Sequence, residues 1–133
     1  MDSKTKKILI IEDELVLLNM LKDNISKTQE DIIIEEAMDG EEGLEKALKT
    51  HPDLILLDIL LPKMDGVEMA KELRKDEWGK TAKVVILSVV SDMKYVQEAL
   101  GAESFEYLVK SDTSMDSVVE KVKEAIQARL NKH

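Results

Sequence analysis

Asp53-Leu54-Ile55-Leu56-Leu57-Asp58-Ile59-Leu60-Leu61-Pro62-Lys63-Met64-Asp65-Gly66 decides the fold. Residues 54 to 57 are continuously apolar and too few for a buried helix, so they read as a strand covered on both faces. Asp58 stands where that strand leaves the core. Pro62 and the Asp65-Gly66 pair then force a loop and open a new element. A carboxylate at the carboxyl end of a central strand is where open α/β sheets place their chemistry.

Working outward, the same unit recurs. Ile8-Leu9-Ile10-Ile11 is a second short apolar run and ends in Glu12-Asp13-Glu14. Leu15, Leu18, Lys22 and Ile25, widened by Leu17 and Leu21, follow at helical spacing, with Asp13 or Glu14 at the helix start. Ile32-Ile33-Ile34 predicts another strand, and Asp39-Gly40 marks its exit. Leu44, Ala47 and Leu48 predict a helix ending near Thr50, before His51-Pro52.

Beyond the opening stretch, Val67, Ala70 and Leu73 mark a short helix, Gly79 ends the next loop, and Trp78 lies at the surface or over an edge. Val84-Val85-Ile86-Leu87 is a fourth strand, ending at Ser88. Asp92 is the expected N-cap of a helix through Val96, Ala99 and Leu100, stopped by Gly101. Phe105 to Val109 reads as an edge strand ending at Lys110. Thr113-Ser114-Met115-Asp116 resembles a capping box before an amphipathic helix through Val118, Val119, Val122, Ala125, Ile126 and Leu130. Five strand–helix units predict an α/β fold: a five-stranded parallel sheet in the order 2-1-3-4-5 with helices on both faces.

The 133 residues fit a single domain spanning 1–133. The chain has no cysteine, which excludes disulfides and thiolate chemistry and suits a reducing cytoplasm. No apolar run approaches the roughly 20 residues of a membrane span. Acids outnumber bases 28 to 19, giving a net charge of −9, which argues against direct nucleic-acid or membrane binding by this segment. The expected location is therefore cytoplasmic.

In a parallel sheet every strand delivers its carboxyl end to one edge. That edge would hold Glu12, Asp13, Asp58, Ser88 and Lys110. Each alone has an ordinary explanation as a cap, a turn residue or a solvated lysine; their joint placement does not. Three carboxylates repel unless a cation offsets them. Oxygen ligands without Cys or His favour Mg²⁺ or Mn²⁺ over zinc. Lys110 and Ser88 could hold phosphoryl oxygens, leaving Asp58 to attack as a carboxylate nucleophile.

With these residues in place, the chain resembles the receiver domain of two-component response regulators, from about Lys7 to Leu130. The matching motifs are Ile10-Ile11-Glu12-Asp13-Glu14, the run Asp58 to Gly66, Leu87-Ser88 and Tyr107-Leu108-Val109-Lys110. The resemblance implies a flavodoxin-like (βα)5 receiver architecture, stand-alone or excised from a longer protein. It implies that Asp58 accepts a phosphoryl group from a histidine kinase or histidine phosphotransfer protein. Mg²⁺ would be held by Asp13, Asp58 and the Leu60 backbone carbonyl, with Glu12 acting through water. Ser88 and Lys110 would contact the phosphoryl group, and Tyr107 would switch rotamer as the Ser88 region moves. The surface of the fourth helix, fifth strand and fifth helix would then change its affinity for a downstream effector. Such a domain is regulatory and catalyses only its own phosphorylation and dephosphorylation. Leu61, Val89 and Ser111 depart from the usual Met, small residue and Pro at their positions.

Competing functions fit less well. A haloacid-dehalogenase-like phosphatase needs a general acid two residues after its nucleophile, and Leu60 cannot donate a proton. An FMN carrier needs a phosphate-cradling loop after the first strand, where Glu12-Asp13-Glu14 would repel phosphate. A receiver that has lost phosphorylation would lack residues that this chain retains.

Overall fold

The computed structural model describes residues 5–28, 31–101, 105–110 and 114–130. Its elements, in order, are β1 (Lys6–Ile11), α1 (Leu15–Ser26), β2 (Ile32–Ala37), α2 (Gly40–Thr50), β3 (Leu54–Asp58), α3 (Gly66–Lys75), a 3₁₀ turn (Gly79–Thr81), β4 (Val84–Ser88), α4 (Val90–Leu100), β5 (Glu106–Val109) and α5 (Met115–Leu130). The strands form one parallel sheet in the order β2-β1-β3-β4-β5, as the alternation of elements predicts.

Side chains alternate across a strand, so each central strand feeds two cores. Leu9, Ile11, Ile55, Leu57, Val84 and Ile86 point to one face, against Ala47 of α2, Met69, Ala70 and Leu73 of α3, and Val96 of α4. Ile8, Ile10, Leu54, Leu56, Val85 and Leu87 point to the other, against Leu18, Leu21 and Ile25 of α1 and Val118, Val122, Ala125 and Ile126 of α5. This double burial is why β1, β3 and β4 are continuous apolar runs. Asp53 sits just before β3 and clasps β1: its backbone N–H donates to the Lys7 carbonyl and its carboxylate accepts from the Lys7 N–H at 2.9 Å. It belongs to the strand's start and not to the chemistry at its end.

Some local expectations hold and others need correction. Leu15 is 57% exposed, so the buried stripe of α1 is Leu18, Leu21 and Ile25. Glu14 occupies the N-cap of α1 without a side-chain capping bond. Asp92 does not cap α4: the N-cap is Val89, also without a capping bond, and Asp92 lies within the first turn. Ser88 leaves the sheet and the chain turns helical at once, two residues before Asp92 could act. Gly79 opens the 3₁₀ turn instead of ending a loop, because the Arg74 guanidinium draws that turn in through the Gly79 and Ala82 carbonyls. Trp78 is half-buried and stacks on His51 at 4.3 Å between centroids. The cap of α5 falls one residue later than the Thr113-to-Asp116 box, with Ser114 Oγ accepting the Ser117 N–H at 3.1 Å; Thr113 lies outside the described residues, as does Ser111.

The turn from β3 into α3 fixes the direction of Asp58. Asp65 caps α3 by accepting the Glu68 N–H at 2.9 Å, and Gly66 donates to the Ile59 carbonyl at 2.8 Å. A Cβ on Gly66 would stand 2.5 Å from the Asp58 carbonyl oxygen, a backbone atom that cannot swing aside. Gly66→Ala should therefore lose about 1–3 kcal/mol through overpacking, a fall of roughly 5–15 °C in Tm. Thermal unfolding followed by circular dichroism checks this, with the exposed Leu60→Ala as a near-neutral control.

Candidate functional site

The carboxyl edge of the sheet brings four side chains together. β1 ends at Ile11 and hands on Glu12, whose N–H donates to the Ala37 carbonyl of β2. β3 ends at Asp58 itself, and Lys110 follows β5 directly. The Lys110 ammonium lies 2.9 Å from Asp58 Oδ1 and 3.6 Å from Glu12 Oε1. Carboxylate oxygens of Glu12, Asp13 and Asp58 lie within 4.8 Å of one another. Glu12 and Asp58 are buried, at 1% and 5% exposure, whereas Asp13 is exposed at the mouth.

Three carboxylates against one ammonium leave a deficit of positive charge. Burial, then the charge of Asp58, pushes the Glu12 pKa from 4.5 up to about 7, against the smaller pull of the Glu14 N–H and Lys110. Burial also raises Asp58 above the usual carboxylate range, outweighing its hydrogen bond to Lys110. Burial alone would depress Lys110; Asp58 and Glu12 overcome it and hold the ammonium above its ordinary value. Glu12 Oε2 accepts the Glu14 N–H at 3.1 Å, but the buried Oε1 has no hydrogen bond. A buried carboxylate oxygen with no hydrogen bond, 3.6 Å from the one ammonium and beside two further carboxylates, belongs to an oxygen-only donor set for a hard cation.

Ser88 ends β4, beside β3, and is 2% exposed; its hydroxyl donates to the Val89 carbonyl at 3.1 Å. Leu60, two residues after Asp58, is 64% exposed and Val89 is 37% exposed, so the mouth is rimmed by apolar side chains. Tyr107 on β5 points away from the acids, and its hydroxyl donates to the Gly101 carbonyl at the end of α4 at 2.6 Å. The expected residues thus divide into two sets. Glu12, Asp13, Asp58 and Lys110 converge; Ser88 adjoins them with its hydroxyl bonded to the Val89 carbonyl, and Tyr107 bonds elsewhere.

Sequence reading missed one support. Asp39 accepts the Glu42 N–H at 2.8 Å while Glu42 Oε1 accepts the Met38 N–H at 3.0 Å, a reciprocal cap at the start of α2. Its signal was present in Asp39 followed three residues later by Glu42.

A doubly wound parallel sheet thus carries clustered acids and a lysine on its carboxyl edge. A family profile described as the response regulator receiver domain matches residues 8–125. The chain belongs to that family, and it is a receiver domain of the two-component type. It is 33% identical over 105 residues to the chemotaxis protein CheY of Thermotoga maritima, covering 79% of this chain and 85% of CheY. It is 46% identical over 72 residues to the alkaline phosphatase synthesis transcriptional regulatory protein PhoP of Bacillus subtilis, covering 54% of this chain but only 29% of PhoP. The crystal structure of the phosphorylated cyanobacterial phytochrome response regulator RcpA superposes with a TM-score of 0.74 at 26% identity, over 96% of this chain and 95% of that one. Receiver domains of this family are generally regulatory and not enzymatic. Among the described residues no helix is long and apolar enough to cross a membrane.

The charge deficit sets a pH dependence. A carboxyl whose folded pKa lies above its unfolded value binds its proton more tightly when folded, so stability falls as pH rises between the two values. For Glu12 that window runs from 4.5 to about 7. In EDTA the Tm should decline across it, and Glu12→Gln should decline less. Equal slopes in thermal melts of the two proteins would place the effect elsewhere.

Proposed function

We propose that Asp58 is the phosphoacceptor of a cytoplasmic phosphorelay, charged by a histidine kinase or histidine phosphotransfer protein in the presence of Mg²⁺. The observation that carries this reading is the buried Asp58 carboxylate held 2.9 Å from the Lys110 ammonium, beside a Glu12 oxygen that has no hydrogen bond. The donor set fits the metal. Glu12 through water, Asp13, Asp58 and the Leu60 carbonyl would hold it, and when bound it would neutralise charge between the carboxylates and the incoming phosphoryl oxygens.

The chain's own residues do the rest. An Asp58 oxygen attacks the phosphorus of a phosphohistidine, and the bond from phosphorus to the imidazole nitrogen breaks. The electron pair of that bond stays on the departing imidazole, and Asp58 becomes an acyl phosphate. Lys110 exchanges a carboxylate oxygen for a phosphoryl oxygen without crossing the site. The Ser88 hydroxyl leaves the Val89 carbonyl and donates to a second phosphoryl oxygen. As Ser88 and its loop move, Tyr107 leaves the Gly101 carbonyl, and α4, β5 and α5 present an altered surface to a downstream effector. The phosphoryl group thereby shifts a population that exists before phosphorylation. The phosphorylated state of RcpA, a neighbour in fold and sequence, supports the same chemistry here.

Two outcomes follow. Incubation with a small acyl phosphate and Mg²⁺ should add one phosphoryl mass to the intact protein and none to Asp58→Asn; an adduct on both would refute the assignment of Asp58. The acyl phosphate should also be long-lived. Leu60 has no group to orient an attacking water, and Val90, two residues after Ser88, is likewise apolar in kind; its side chain lies outside the described part of the structure. Leu60→Asn or Val90→Glu should shorten the phosphoryl lifetime, measured by loss of label. No shortening in either variant removes this explanation.

A further inference from the structure

The loop that carries Leu60 from β3 to α3 contains a backbone conformation that a side chain resists. Lys63 has φ of +67°, and apart from the helix-terminal His51 it is the only non-glycine residue with positive φ among the described residues. A Cβ in this left-handed region crowds the following carbonyl. Lys63 is also an exposed residue.

The compensation comes from α2, an element outside the site. The Asp39 Oδ2 lies 3.8 Å from the Lys63 ammonium, and the Asp39 side chain is 17% exposed against 65% for Lys63. The Gly40 N–H donates to the Pro62 carbonyl at 3.4 Å, and the Met64 N–H donates to the same carbonyl at 2.7 Å. Gly40 permits this seat because a Cβ there would fall 1.7 Å from the Met64 carbonyl oxygen. Asp39 is itself fixed, since its other oxygen caps α2 through Glu42. The start of α2 therefore grips residues 62 to 64 by a charge, a hydrogen bond and a close backbone contact. Those residues lie between Leu60 and Gly66, whose N–H in turn holds the Ile59 carbonyl.

From this geometry we infer that Asp39 and Gly40 are positioning residues for the metal-binding loop: the Asp39–Lys63 ion pair holds the left-handed turn that sets the Leu60 carbonyl. The inference rests on the reading of this edge as a Mg²⁺ site. Asp39 touches neither the metal nor the phosphoryl group and acts through Lys63. Releasing the grip lowers the fraction of molecules with the loop in place, and the apparent Mg²⁺ affinity falls with that fraction.

The experiment uses calorimetric Mg²⁺ titration of the whole chain, with thermal melts of each protein in EDTA. Asp39→Asn keeps the cap, because Asn serves an N-cap as well as Asp, but loses the charge facing Lys63. Lys63→Gln loses the same ion pair from the other side and keeps the Cβ. Lys63→Gly loses it too, but needs no partner to hold positive φ. An exposed pair of this kind is weak, so the expected loss of Mg²⁺ affinity is about threefold for both Asp39→Asn and Lys63→Gln, with Lys63→Gly at or above wild type. Long-range charge alone predicts otherwise: Lys63→Gln would bind more tightly, Asp39→Asn less tightly, and Lys63→Gly would equal Lys63→Gln. That pattern, or unchanged affinity in Asp39→Asn and Lys63→Gln beside a wild type that binds, overturns the inference alone. A wild type that binds no Mg²⁺ overturns the site reading with it. Should Asp39→Asn unfold, the Lys63 pair at an exposed position decides the matter unaided.

Discussion

Everything at the carboxyl edge answers to one constraint: two buried acids and a third at the mouth share a single ammonium. Water would spread such charges apart, but the ends of β1 and β3 deliver Glu12 and Asp58 where water is largely excluded. Lys110 cannot satisfy both, and sits nearer Asp58 than Glu12. The unmet remainder is stored as a proton affinity on Glu12 and as affinity for a cation. A domain that spends stability on this edge keeps it responsive, because the repulsion is relieved only when positive charge, as a proton or a cation, arrives.

The rest of the fold is arranged to hold that edge steady. The strands that reach it are buried on both faces, with no polar side chain before the last residue of β3 or β4. Two separate cores, one under α2, α3 and α4 and one under α1 and α5, clamp the sheet from both sides. The site itself is built from strand ends and loops, where side chains can rotate without disturbing either core. Ser88 illustrates this: its hydroxyl is bonded to a backbone carbonyl, and that bond can be exchanged for another at small net cost.

The architecture was legible because its signals are repeated. Four apolar runs and a shorter, mixed fifth, each followed by residues at helical spacing, leave little choice of topology, and the order 2-1-3-4-5 follows. Glu12, Asp13, Asp58 and Lys110 were legible for the same reason, since each lies within two residues of the end of a strand. The failures share a different cause. Asp92 looks like a cap, but tertiary packing starts α4 earlier, at a Val with no capping side chain. Leu15 has the right spacing for the core, yet the first turn of α1 points outward. The left-handed Lys63 has no sequence signal at all, because Pro62-Lys63-Met64 names neither a glycine nor an asparagine at that position. Asp39 was read as punctuation, and its contact with a loop twenty-four residues away exists only once the sheet has brought the two together.

The stack of Trp78 on His51 has a practical meaning for anyone watching this molecule. The chain contains one tryptophan, and it lies just before β4, against a residue that precedes β3, at the amino edge of the sheet. Intrinsic emission is therefore a lamp fixed to the far wall. It reports on whether the amino edge is folded. Events at Asp58, at the opposite edge, need a second lamp placed on α4 or β5.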